Sequence, residues 1–223
     1  MTDVLGVDLV EVARLYLHLA SKIGCAVVSR GRLCTGAWGR GGDIAHTPAV
    51  DDGELCECGR RGCFHTVLTE RGLRRAIATA LGASEPPTLE QIARLVLSDA
   101  RVASVLERVA GHSVDALLPA VQMLDPATIM IGGSVAEALG APFCDALHRR
   151  IASAYVGAPG LTVRKTAPGA GGAVSAAHYA LHETFTPAAD RLVLDTVSVQ
   201  GPGRVDEDLP DPAAACGLAA GGQ

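Results

Sequence analysis

The chain has 223 residues, 48% of them apolar but only 3% aromatic, with 26 glycines and a formal net charge of −5. That length suffices for one large domain or two small ones, and a core so poor in aromatics must be built from Ala, Val, Leu and Ile, which suits helices packed on a sheet. An acidic balance without a basic stripe on any helix excludes the footprint of direct nucleic-acid binding, and every apolar run stops well short of the ~20 residues of a bilayer span. The N-terminus, Met1-Thr2-Asp3-Val4, lacks a signal-peptide pattern, so a cytoplasmic chain with no membrane partner is expected.

In chain order, residues 14–20 alternate and then run apolar, which predicts a strand. A tight connection at 21–24 leads to a second strand, Cys25 to Val28, and Gly31 turns the chain into a short third strand around Arg32 to Cys34. Residues 36–65 carry Gly, Cys and charge without helical period, an irregular insert that buries too little apolar surface to order itself. Helices are predicted at 66–82, 88–100 and 102–124; Thr88 with Gln91 offers a capping box for the second, and Asp125-Pro126 ends the third. A buried strand at Thr128 to Ile131 runs into Gly132-Gly133, followed by a helix over 134–154, a strand at 161–163 and a last helix, opened by a Gly-rich turn at 169–172, to about 184. One domain over 1–186 and an extension over 187–223, largely disordered towards its end, are expected.

The insert holds the chemistry. His46-x9-Cys56-x-Cys58-x4-Cys63 supplies one imidazole and three thiols, a set that closes a tetrahedral Zn²⁺ site with no position left for water. In a reducing compartment such a cluster favours metal over disulfide, and the metal supplies ordering energy to a segment without a core. A structural zinc is therefore expected, and metal-dependent hydrolysis is not. Cys25, Cys34, Cys144 and Cys216 are scattered and are expected to be small hydrophobes or unpaired thiols.

Gly39-Arg40-Gly41-Gly42-Asp43-Ile44-Ala45-His46, followed by Cys56-Glu57-Cys58-Gly59-Arg60-Arg61-Gly62-Cys63, resembles the paired signature of the ROK family of repressors and sugar kinases. The resemblance extends over 15–184 and implies an α/β fold: the C-terminal lobe of an actin-like ATPase (ribonuclease H-like), with a zinc-bearing insert. It also implies that His46 both ligates zinc and faces a sugar, that Asp43 and the position of His65 contact sugar hydroxyls, and that Ser21, Gly132 and Gly133 stand at a vestigial nucleotide site.

Several residues depart from the family pattern. The sugar-contacting Glu of the first motif is Asp43, and the Glu after the last cysteine is His65. The hairpin, Gly-Thr-Gly in the kinases, is Ala20-Ser21-Lys22, with two glycines lost. Asp3 and Asp8 lie in no phosphate-loop context, and the catalytic Asp and N-terminal phosphate loop of the kinases are expected to be absent. No catalytic residue is therefore assigned, and ATP is not expected as a cofactor.

Three readings stay open. The first is the sugar-sensing effector lobe of a regulator, N-terminally truncated and without its own helix-turn-helix. The second is a glucokinase-like hexose kinase needing a separate lobe, and the third a zinc-stabilised module without ligand. A homo-oligomer is expected from the apolar helices at 102–124 and 134–154. Any sugar affinity is expected to be weak and to change between about pH 6 and 7.5 with His65.

Overall fold

The computed structural model describes residues 13–29, 32–155 and 160–166. The chain divides into two units, 1–175 and 176–223, and every described residue belongs to the first. The predicted last helix, the 186/187 boundary, the extension, Asp3, Asp8 and Cys216 lie outside the described residues.

Period-two alternation makes β1 (Arg14–Leu19) a strand with one fully buried face: Leu15, Leu17 and Leu19 alternate with half-exposed Arg14, Tyr16 and His18. β1 is the hub of a mixed five-stranded sheet ordered β3-β2-β1-β4-β5, formed with β2 (Ile23–Ser29), β3 (Arg32–Leu33), β4 (Thr128–Gly132) and β5 (Thr162–Lys165). It pairs antiparallel with β2 and parallel with β4, bringing Leu15 and Leu17 opposite Ile129 and Ile131 on one apolar face. The first hairpin is tighter than the sequence suggests. Leu19 pairs with Ile23, so β2 starts two residues early and the tip is only Ala20-Ser21-Lys22.

The helices are α1 (Phe64–Leu68), α2 (Glu70–Leu81), α3 (Leu89–Leu95), α4 (Ala100–Leu124) and α5 (Ser134–Ala154). α5 packs on β1, β4 and β5, α4 packs on α5, and α1 and α2 close against α4, giving one contiguous core. The helix predicted over 66–82 is two helices. Thr69 adopts an extended backbone (φ −68°, ψ 160°), and its Oγ1 accepts from Gly72 N at 3.3 Å, so one residue ends α1 and caps α2. The second predicted helix has its capping box but ends at Leu95. Asp99, whose carboxylate accepts from Arg101 N at 2.8 Å, starts α4 there. α5 keeps its predicted range but bends at Gly140 (φ 64°, ψ −156°), just before Pro142.

The apolar stripes of α4 and α5 are spent inside this unit: Val105, Val109, Leu117, Leu139 and Leu147 are all buried. Among the described residues Met123 is the large hydrophobic that these two helices leave exposed. The large hydrophobics exposed among the described residues are scattered: Leu33, Trp38, Leu55, Leu97 and Met123. No helix among the described residues is long and apolar enough to cross a membrane.

Leu17 is fully buried at the centre of the hub strand. Leu17→Ala is expected to cost about 2–5 kcal/mol, read as a lower urea midpoint at unchanged m-value.

Candidate metal centre

The insert between β3 and α1 has almost no regular structure. Its only ladder contacts among the described residues are two isolated antiparallel bridges, Pro48 with Cys63 and Leu55 with Arg61. The first lies within a short run in which His65 N donates to Ala45 O (2.7 Å), Phe64 N to Thr47 O (2.9 Å) and Ala49 N to Gly62 O (2.8 Å). This run places His46 beside the chain that carries Cys63. Gly62 makes it feasible: its φ is +70°, and a Cβ there would lie 1.7 Å from Val50 O. The second bridge closes a knuckle, in which Cys56 N donates to Arg60 O (2.8 Å) and Gly59 N to Cys56 O (2.9 Å), turning Cys56 and Cys58 toward the same point.

The ligand atoms of His46, Cys56, Cys58 and Cys63 all lie within 4.8 Å of one another. His46 Nδ1 is 3.4 Å from Cys56 Sγ, and Cys58 Sγ is 3.6 Å from Cys63 Sγ. Tetrahedral bonds of about 2.0–2.1 Å to nitrogen and 2.3 Å to sulfur imply donor separations of about 3.6–3.8 Å, so the set has the size a zinc-type cation requires. It is too wide for a disulfide, whose sulfurs sit about 2.05 Å apart. Cys56 and Cys63 are buried and Cys58 is exposed.

The thiols differ in acidity. Hydrogen bonds from the Arg60 backbone and guanidinium pull Cys58 down to about 6, against the cost of removing its charge from water. Cys63 is pushed up to about 12, first by burial and then by its bonds with Cys58 and Cys56. One thiolate is thus available near neutral pH, and deprotonating the buried partner is what a bound cation would have to drive.

Of the residues expected at a sugar site, the structure brings two together. The rings of His46 and His65 lie 5.7 Å apart, because His65 N–H is bonded to the carbonyl just before His46. Asp43 stands exposed in the turn where its N–H donates to Arg40 O, and it does not line the cavity that holds His65. That cavity, about 270 Å³, lies between the hairpin tip and the knuckle and is lined by Ser21, Lys22, Glu57, His65, Thr66 and Arg71 among others. Burial lowers the pKa of His65, partly opposed by Glu57, so the expected pH window for its charge change moves down. Gly132 and Gly133 have a packing role. A Cβ on Gly132 would meet Tyr16 Oη at 2.5 Å, and Gly133, with φ +100°, lies where a Cβ would meet Leu19 O at 2.3 Å.

Lys22 and Glu57 were not assigned to the site from sequence. Lys22 Nζ donates to Glu57 Oε1 at 2.6 Å, and the same oxygen lies 3.7 Å from His65 Nε2. The Lys22 bond and charge hold the Glu57 carboxyl below the usual carboxylate range. No sequence signal joins them, since 35 positions separate the two.

Over residues 11–183 the sequence matches the family model of the ROK family. The chain belongs to the ROK family. This ROK chain is 32% identical over 134 residues to an N-acetylmannosamine kinase of Citrobacter koseri, an alignment covering 56% of the chain and 43% of the relative. It therefore spans less than half the length of that curated relative. A ROK hexokinase from Thermus thermophilus superposes with a TM-score of 0.61 at 27% identity, covering 72% of this chain and 53% of that one. A ROK transcriptional regulator, a homologue of the E. coli MLC protein, superposes with a TM-score of 0.56 at 20% identity, covering 69% and 41%. The regulator likeness shows the fold alone, and the mixed sheet agrees with the actin-like sugar-kinase fold of these neighbours.

In metal-free protein, exposed Cys58 with its lowered pKa is expected to be alkylated by iodoacetamide before buried Cys56 and Cys63. Peptide mapping of partly modified protein checks the order.

Proposed function

We propose that this chain is the zinc-braced, sugar-reading effector lobe of a ROK-family regulator. His46, Cys56, Cys58 and Cys63 would hold the zinc as a closed structural site, whose contribution is to order the insert. The sugar would sit beside the His46–His65 pair, in the cavity that His65 lines, with Asp43 standing outside it. Hydroxyl recognition there would rest on imidazole groups, with His65 in place of the family's glutamate.

The observation that carries the regulator reading is the state of the hairpin. In the kinases this tip is Gly-Thr-Gly, whose backbone amides approach phosphate. Here its third position is Lys22, and the ammonium is engaged with Glu57 at 2.6 Å. Phosphoryl transfer depends on positioning and charge stabilisation at such loops. A tip tethered to the insert suits ligand sensing better than nucleotide handling. The kinase reading remains second, favoured by the 32% identity to an N-acetylmannosamine kinase.

Two outcomes are expected. Protein purified without chelator should contain one Zn²⁺ per chain by elemental analysis, and Cys58→Ser should lose most of it. Protein devoid of zinc, with melting unchanged by chelator, would remove the metal reading. In calorimetry, glucose, N-acetylglucosamine or N-acetylmannosamine should bind with millimolar Kd. A bond to an ionised acceptor is worth about 1.5–3 kcal/mol, so His65→Glu, combined with Glu57→Gln to remove the facing carboxylate, should tighten binding roughly tenfold or more. A coupled assay that shows sugar-dependent ADP release surviving repurification would establish the kinase reading instead.

A further inference from the structure

The hairpin tip is held from two sides. Glu70 N, at the start of α2, donates to Ala20 O at 2.9 Å, a backbone bond within the packed unit. The second tether is Lys22 Nζ to Glu57 Oε1 at 2.6 Å, across 35 positions of sequence. Glu57 is the single residue between Cys56 and Cys58. Its backbone is therefore placed by the two flanking ligands and by the knuckle bonds around Arg60.

We infer that Glu57 is a positioning residue that makes the conformation of the hairpin tip depend on the metal. The inference rests on the zinc reading above. With a divalent cation on three thiolates and a neutral imidazole, the centre carries one net negative charge. The knuckle is then rigid, and the Glu57 carboxylate is presented to Lys22 from a fixed backbone. Without metal, the insert keeps its backbone bonds and the Arg75–Glu54 pair but loses the ligands on either side of Glu57, which then samples a wider volume, and the tip loses its second tether while keeping the bond from Glu70. The 270 Å³ cavity lies between the two tethered pieces, so its mouth follows the same equilibrium. Coupling of this kind is reciprocal: if metal holds the tip through Glu57, then Lys22 holds the metal by the same factor. Both side chains are more than half exposed, at 67% and 58%, so the factor is about 2–5, the range of a surface ion pair.

The test is hydrogen exchange of the peptide spanning 16–24, together with the metal affinity measured by equilibrium competition with a colorimetric chelator, on the full chain. Metal content is measured first, so a chain without metal overturns the zinc reading itself. In metal-containing wild type, chelation should raise exchange at the tip about 2–5-fold. Lys22→Ala should show the raised exchange with metal still bound, should respond little to chelation and should bind metal about 2–5-fold more weakly. The charge swap, Lys22→Glu with Glu57→Lys, should restore metal-dependent exchange, which a purely structural loss at either position would not do. A tip that responds to chelation equally in wild type and Lys22→Ala, or not at all in metal-containing wild type, overturns the inference.

Discussion

The structure depends on one constraint: a polar insert of about thirty residues must be held in a fixed shape with very little core of its own. Between β3 and α1 the buried side chains are Ala45, Ala49, Cys56 and Cys63, two alanines and two thiols. Burial at roughly 25 cal/mol per Å² cannot offset an ordering cost of about 1–2 kcal/mol per residue with so small an apolar contribution. The geometry supplies the remainder by convergence. The run at 45–49 lies against 62–65, the knuckle at 55–61 folds back, and an imidazole and three thiols arrive within 4.8 Å of one another. α2 adds an outer clamp, since Arg75 pairs with Glu54 where the knuckle begins.

That arrangement explains why the corner next to the His/Cys cluster is a composite. The hairpin tip comes from the first two strands, the knuckle from the middle of the insert, and His65 from the start of α1. Phe64 and Leu68 anchor α1 in the core, both fully buried, so His65 follows the packed helix and the insert at once. A displacement of the insert moves His46 relative to His65, whereas a displacement of the hairpin moves Ser21 and Lys22 relative to both.

Much of the fold was legible in the sequence because its signals are local. The alternation of Leu15, Leu17 and Leu19, the Thr88–Gln91 capping box, the Asp125-Pro126 stop and the run from Thr128 into Gly132 each carry their own physical cause. What was not legible is tertiary. The split of the predicted helix at Thr69 depends on Gly72 approaching so closely that a Cβ would lie 2.2 Å from Thr66 O, a contact no pattern reveals. The earlier start of β2 depends on register with β1. The metal set was readable from four residues and their spacing. The Lys22–Glu57 contact spans 35 positions and could be read only as two unrelated surface charges.

That contact bears on how the departures from the family pattern should be weighed. Counted singly, Lys22 for a glycine and His65 for a glutamate look like independent losses. In space they are neighbours: one oxygen of Glu57 lies 2.6 Å from Lys22 and 3.7 Å from His65. A glutamate at position 65 would set a second carboxylate beside Glu57, like charges that repel at short range. A glycine at position 22 would leave Glu57 without its cation. The imidazole and the ammonium therefore both lie against the same carboxylate. An ammonium engaged with a carboxylate is a different element from a pair of backbone amides open to a phosphate. The Glu57 bond uses one of its three N–H donors and fixes where the other two point, so the geometry of the tip is set from the insert.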